Sequence, residues 1–224
     1  MERDVLLAAD VRALEDDALF AAAYASASVE RKLKTDRYRF RGDKYSSLGA
    51  ELLLRHALAG LGIREFAISY GEAGKPYLAG RDDVFFSLSH SGCYVLCAVS
   101  DREIGADIET VRSVDLKIAR RFFCAGEYEH IAAQETEDAR RELFFRDWTL
   151  KESFLKATGL GLRLPLNQFE IIRNDEISVV QSVDERSFSF REYDGVPGCK
   201  CAVCTAGAPF AAELQTVDIR VCLK

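Results

Sequence analysis

Apolar residues recur at helical spacing from Leu48 to Leu58, and short apolar runs follow near Phe66 to Tyr70, Val84 to Leu88 and Tyr94 to Val99. Run length and aromatic and β-branched content predict one helix followed by three strands. The same order then returns. Helical spacing from Asp115 to Phe123 and from Leu143 to Ala157 precedes strands near Phe169 to Ile172, Ile177 to Val180, Phe188 to Tyr193 and Lys200 to Cys204. The residues themselves show no strong repeat, so the duplication lies in the order of elements. This is the pattern of an α+β protein.

Two polar segments interrupt this apolar patterning. Asp107 and Glu109 follow the run Tyr94 to Val99 by only Ser100-Asp101-Arg102-Glu103, which predicts a hairpin with the two carboxylates on its second strand. Side chains alternate along a strand, so Asp107 and Glu109 share one face. Glu152 and Lys156 share one face of the later helix at i, i+4. Taken singly, each segment reads as an ordinary solvated surface, and a helix pair of this kind is worth only about 0.3 kcal/mol. Taken together, three carboxylates and an ammonium can converge on one volume. Such oxygen-rich sets suit Mg²⁺, which takes a few carboxylates plus water and substrate phosphate oxygens.

Composition narrows the setting. With 224 residues, 48% of them hydrophobic, the chain can bury a full core. A net charge of −6 argues against nucleic acid as a partner held by the overall field. No apolar stretch reaches the length of a membrane helix, and Asp10 and Glu15-Asp16-Asp17 break the N-terminal run, so a cytoplasmic protein with no membrane partner is expected. The 7 cysteines fit reduced, buried positions better than a disulfide framework. Cys199, Cys201 and Cys204 invite a zinc reading, but on a strand Cys204 would point away from the other two and no second cluster completes the ligands.

Gly105-Ala106-Asp107-Ile108-Glu109 and Trp148-Thr149-Leu150-Lys151-Glu152-Ser153-Phe154-Leu155-Lys156 resemble the G-[IV]-D-[IV]-E and W-x-x-K-E-[AS]-x-x-K motifs of the 4'-phosphopantetheinyl transferases. Gly74-Lys75-Pro76-Tyr77, Phe86-Ser87-Leu88-Ser89-His90-Ser91-Gly92, Arg121-Phe122-Phe123 and Gly159-Leu160-Gly161-Leu162 are similar to further family segments, in the family's order. Ala106 stands where the family more often has a β-branched residue, a change that should cost packing rather than chemistry. The resemblance covers roughly residues 30 to 170.

The resemblance implies the long, surfactin-type form, a monomeric pseudodimer of two similar halves, here residues 1–103 and 104–224, with the site between them. It implies transfer of 4'-phosphopantetheine from coenzyme A to a serine of an apo acyl or peptidyl carrier protein, with release of 3',5'-ADP. Asp107, Glu109 and Glu152 would hold Mg²⁺, with Glu152 or a water it orients as base and Lys156 as a fixed charge at the phosphates. Arg31, Lys34, Lys75, Ser89 and His90 would contact coenzyme A, with Ser89 and His90 at its 3'-phosphate end.

Trp148 is expected to anchor the core, and Gly159 and Gly161 to end the helix. Lys151 lies about 100° round the helix from Glu152, which suits packing or a partner contact. The stretch with Arg112, Lys117, Arg120 and Arg121 is the expected carrier surface, with Phe122 or Leu116 as its exposed anchor. A nucleotide pyrophosphatase and a non-catalytic carrier-binding protein are the competing readings.

Overall fold

The computed structural model describes residues 4–223. Its centre is built from two strands that are apolar on both faces, β1 (Val5–Asp10) and β5 (Tyr94–Ser100). A strand covered on both sides has no polar face, so Val5 to Ala9 and Val95 to Val99 read as continuous runs rather than alternations. With β4 (Phe85–Ser91) and β11 (Leu214–Asp218) they form a sheet of order β11-β1-β5-β4. β11 runs parallel to β1 and the other pairs are antiparallel. A second, antiparallel sheet has the order β6-β10-β9, from β6 (Ile104–Thr110), β9 (Phe188–Tyr193) and β10 (Cys199–Ala206).

Alternation along these strands stacks four layers. Leu6, Ala8, Leu96 and Ala98 pack against Ile104, Ala106, Ile108, Cys201 and Val203 between the sheets. The outer face of the first sheet, with Leu7, Ala9, Val95 and Cys97, is covered by Leu48 and Leu52 of the long helix α3 (Arg41–Gly60), which follows α1 (Asp17–Ser26) and α2 (Val29–Asp36). The outer face of the second sheet, with Ala202 and Cys204, is covered by Leu150, Phe154 and Ala157 of α6 (Glu137–Thr158), which follows α4 (Lys117–Phe122) and α5 (Ala125–Ala132). Two small hairpins, β2 (Ile68–Tyr70) with β3 (Pro76–Leu78) and β7 (Glu170–Arg173) with β8 (Ile177–Val180), complete the element set that positions the site.

The element order is duplicated. A strand, helices ending in a long one, a small hairpin and two strands occur first from β1 to β5 and again from β6 to β10. The pairing repeats too, β1-β5-β4 in one sheet and β6-β10-β9 in the other. Matching details fix the correspondence. Val11 N donates to the Cys93 carbonyl at 2.9 Å, and Val111 N to the Gly198 carbonyl at 2.8 Å. Arg31, three residues after the cap of α2, pairs with Glu51 of α3, and Glu127, three residues after the cap of α5, pairs with Lys151 of α6. A shift of 100 residues relates Val11 to Val111 and Glu51 to Lys151. By that shift Leu7, Ala9 and Leu52 occupy the places of Asp107, Glu109 and Glu152, so only the second unit carries the carboxylates.

Three of the departures from the sequence reading bear on how the site is assembled. β5 and β6 are not a hairpin: β5 pairs with β1 and β4, and β6 with β10. Residues 100–103 instead carry the chain from one sheet to the other, where Arg102 pins the crossing to Asp4 at 2.9 Å. β1 and β11 were not expected as strands, since β1 lacks alternation. α6 begins at Glu137, six residues before the apolar periodicity starts at Leu143, because Thr136 caps it and donors of its first turn face Glu137 and Asp138.

Candidate active site

The edge strands of the two sheets, β4 and β6, meet beneath α6. The contact is close because residue 105 is glycine: a Cβ there would lie 1.9 Å from the Ser153 carbonyl oxygen and 2.3 Å from Ala157 N. Gly105, Asp107 and Glu109 alternate onto the face of β6 that looks toward α6. This brings the strand carboxylates to Glu152 and Lys156 of the helix.

Asp107 is buried. Its Oδ1 accepts from Ser89 Oγ of β4 and from Lys156 Nζ, each at 2.7 Å. Its Oδ2 is buried without a hydrogen-bond partner. Lys156 also donates to the Ala106 carbonyl at 3.1 Å, so it ties α6 to β6. Glu109, half-buried, accepts from Ser91 Oγ at 2.7 Å, with Arg112 at 3.4 Å on the same oxygen. Burial raises the Glu109 carboxyl above its ordinary range; the Ser91 hydrogen bond opposes this and the charge of Asp107 adds to it. Burial likewise raises Glu152, reinforced by Asp107 and Glu109 and countered by Lys156. The three carboxylates therefore lie within one another's field. Among the described residues no three His, Cys, Asp or Glu side chains form a ready-made metal cage.

The residues assigned to coenzyme A are divided by the structure. Ser89 and His90 are both in β4, paired with Leu96 and Val95, so His90 lies within the strand and not at the turn. Ser89 Oγ is directed at Asp107. His90 is on the opposite face and exposed. Partial desolvation, then the charges of Lys156 and Lys34, hold its imidazole below the usual histidine range, so both ammonium groups act on it. Lys34 is itself lowered by desolvation and by Arg31. Arg31 Nε is bound to the buried Glu51 at 3.1 Å, a carboxylate that Arg55 and the Ser28 amide and hydroxyl also hold. Lys75 pairs with Glu103 and donates to the Ala157 carbonyl in the last turn of α6 at 2.9 Å. A cavity of about 260 Å³ opens beside Glu152 and Lys156, with Lys75, Phe86, Leu88 and Leu155 in its wall.

Other motif residues prove to be architectural. Lys151 is fully buried, its ammonium on Glu127 at 2.6 Å and the Phe169 carbonyl at 2.7 Å, with the Phe169 ring 4.3 Å away. Glu127 also accepts from the backbone of Cys124 and Ile171, so the pair is fully satisfied. Trp148 packs on Phe144 and Phe123, at 5.7 and 6.0 Å between ring centroids, as a core anchor. Gly159 ends α6 in the left-handed region at φ 73°, as expected. Cys199 and Cys201 face the space between the sheets and Cys204 faces α6. On the expected carrier surface Ile118 and Phe122 are 37% and 42% exposed, Arg121 lies over the Phe122 ring at 5.1 Å, and Lys117 and Arg120 are exposed. Leu116 is not an exposed anchor: it is half-buried against the Phe123 and Phe144 cluster because it precedes α4 and turns inward. Sequence reasoning missed Ser91 and Glu127. Serines at 87, 89 and 91 carry a period-2 signal that would have placed all three on one strand face.

The chain is similar to known proteins along most of its length. The family model of the 4'-phosphopantetheinyl transferase superfamily matches residues 103–204. A 4'-phosphopantetheinyl transferase of Bacillus subtilis is 35% identical over 211 residues, covering 91% of this chain and 92% of that protein. The 4'-phosphopantetheinyl transferase Sfp of Bacillus subtilis strain 168 is 33% identical over 196 residues, covering 85% and 87%. Among solved structures, the holo-[acyl-carrier-protein] synthase of Thermotoga maritima superposes with a TM-score of 0.40 at 21% identity, over 46% of this chain and 62% of that one.

Proposed function

The chain belongs to the 4'-phosphopantetheinyl transferases, and from that premise we propose that it transfers 4'-phosphopantetheine from coenzyme A to a serine of an apo acyl or peptidyl carrier protein in a Mg²⁺-dependent reaction. The serine oxygen forms a bond to the β-phosphorus of coenzyme A, the bond from that phosphorus to the bridging oxygen breaks, and 3',5'-ADP departs with the electron pair. The serine proton goes to Glu152, directly or through a water that Glu152 orients.

The observation that carries this reading is the buried, unpartnered Oδ2 of Asp107 in the field of two further carboxylates. An ionised oxygen buried without a donor is costly unless a cation completes it. Asp107, Glu109 and Glu152 would hold Mg²⁺. When bound, Mg²⁺ supplies charge compensation for the pyrophosphate oxygens. Lys156 fixes Asp107 and leaves a positive charge beside the same phosphates.

Lys34 and His90 receive the 3'-phosphate end, the charge of Lys34 acting on the His90 imidazole. Arg31 and Lys75 would join them by yielding part of their contacts with Glu51 and Glu103. Residues 1–103 then supply the nucleotide contacts and residues 104–224 the carboxylates, with α4 receiving the carrier. The absence of acids at Leu7, Ala9 and Leu52 supports one site per chain and a monomer. Seven free cysteines suit the cytoplasm.

The test is to incubate the protein with coenzyme A, Mg²⁺ and an apo carrier domain and weigh the carrier by mass spectrometry. A phosphopantetheine mass gain supports the reading. Cleaved coenzyme A without gain marks a pyrophosphatase, and neither change marks a binding protein.

A further inference from the structure

Serines at alternate positions of β4 cross from the first sheet to the second. Ser87 Oγ accepts from Ala106 N at 2.9 Å, Ser89 Oγ donates to Asp107 Oδ1 at 2.7 Å, and Ser91 Oγ donates to Glu109 Oε2 at 2.7 Å. Ser91 differs from the others in holding two successive residues of β6, Glu109 by its carboxylate and Thr110 by its backbone. Thr110 N lies 3.0 Å from the same oxygen. A backbone N–H can only donate, so it occupies a lone pair of Ser91, and the one hydroxyl proton must point at the Glu109 carboxylate. The direction of the bond is thus fixed by chemistry.

The surroundings hold this grip in place. Ser91 is buried, and the next residue, Gly92, has φ 57° at the two-residue turn between β4 and β5. A Cβ on Gly92 would lie 2.8 Å from Thr110 Oγ1, so the turn can sit against Thr110 only because it lacks one. Thr110 Oγ1 is in turn 3.6 Å from Cys199 Sγ at the start of β10. Glu109 has one oxygen on Ser91, and no hydrogen bond is formed by its Oε1 among the described residues. Among the described residues the only other group on Glu109, Arg112, is exposed and at 3.4 Å, too long to orient it.

We propose that Ser91 is a positioning residue for the transferase: it fixes the rotamer of Glu109 and keeps Oε1 free to serve as a metal ligand beside Asp107. This rests on the reading of Asp107, Glu109 and Glu152 as the Mg²⁺ site. It gives the first half a part in the metal site of the second, although that half holds none of the carboxylates. Ser87, which reaches only the backbone of Ala106, is the internal control for a purely structural seam contact.

The experiment titrates Mn²⁺ into the full-length protein with coenzyme A and no carrier, reading free Mn²⁺ by electron paramagnetic resonance, so that binding is seen without turnover. Outer-layer groups on metal ligands typically contribute 10- to 100-fold in affinity, and Ser91→Ala is expected to weaken Mn²⁺ binding by roughly tenfold or more. Ser91→Thr, which keeps the donor, should restore near wild-type affinity, while Ser87→Ala should lower the melting temperature without changing Mn²⁺ affinity. Should Ser91→Ala not fold, Ser91→Cys keeps the size with a weak donor and should bind between the two extremes. A folded Ser91→Ala or Ser91→Cys protein within about twofold of wild-type affinity overturns the role of Ser91 alone. Wild-type protein that binds no Mn²⁺ overturns the metal site itself, and the role of Ser91 with it.

Discussion

Gly105 lies against the Ser153 carbonyl so closely that a single added carbon would sit 1.9 Å from that oxygen. The obstacle is helix backbone, which cannot rotate away as a side chain would. The glycine of the strand motif is therefore what allows β6 to approach α6 and what sets the separation of Asp107 from Glu152 and Lys156.

Gly105→Ala should thus do more than overfill a core. Overpacking typically costs about 1 to 3 kcal/mol, and displacement of α6 would also break the Lys156 to Asp107 contact. Denaturant unfolding should show a loss of stability at the upper end of that range, together with a fall in transfer rate. Unchanged stability would mean that α6 and β6 are farther apart than described.

Lys151 and Glu127 form an ion pair in the interior, and burial lowers the Lys151 pKa while Glu127 supports its charge. Lys151→Met leaves Glu127 buried without its cation, for which a loss of about 3 to 5 kcal/mol is expected. Lys151→Met with Glu127→Gln should recover part of it, since the amide oxygen can still accept from Cys124 N or Ile171 N. A double-mutant cycle by chemical denaturation reads the coupling; additive losses would contradict the pair.

Glu192 accepts from Arg146 and Arg173. Burial alone would raise its carboxyl, but these hydrogen bonds and charges outweigh burial and carry it from 4.5 down to about 2. A depressed carboxyl contributes stability that is complete above its unfolded value and is lost as pH falls through the folded one. Melting temperature should therefore drop between pH of about 4.5 and about 2 more steeply in wild type than in Glu192→Gln. Parallel curves would show that this network does not stabilise the fold.

The exposed face of α4 combines Ile118 and Phe122 with Lys117 and Arg120, a cationic, apolar-centred patch on a chain of net charge −6. Replacing Lys117 and Arg120 by Glu should raise the KM for an acidic carrier by roughly tenfold or more at low ionic strength, and leave the KM for coenzyme A in place. The difference should shrink as salt is added. An unchanged carrier KM at low salt would move docking elsewhere.

Local pattern made much of this molecule legible. The alternation that puts Asp107 and Glu109 on one strand face, and the i, i+4 spacing of Glu152 and Lys156, follow from backbone geometry alone. Pairing between sheets does not. The four residues from Ser100 to Glu103 look like a hairpin turn, and nothing local reveals that β6 joins another sheet. β1 escaped because burial on both faces removes the alternation that marks a strand. The buried state of Lys151 depends on Glu127, distant in sequence, and Leu116 turns inward because of a cluster built by α6. The serine period in β4 was readable as a strand face, but its carboxylate partners required the tertiary fold.

Asp107 and Glu152 are proposed to act on one Mg²⁺-bound pyrophosphate. This is tested most directly by measuring phosphopantetheine transfer and coenzyme A binding in parallel for folded Asp107→Ala and Glu152→Gln. Both variants should lose transfer by roughly a hundredfold or more while retaining coenzyme A binding through Lys34 and His90. Transfer within about tenfold of wild type in either variant would contradict the shared site.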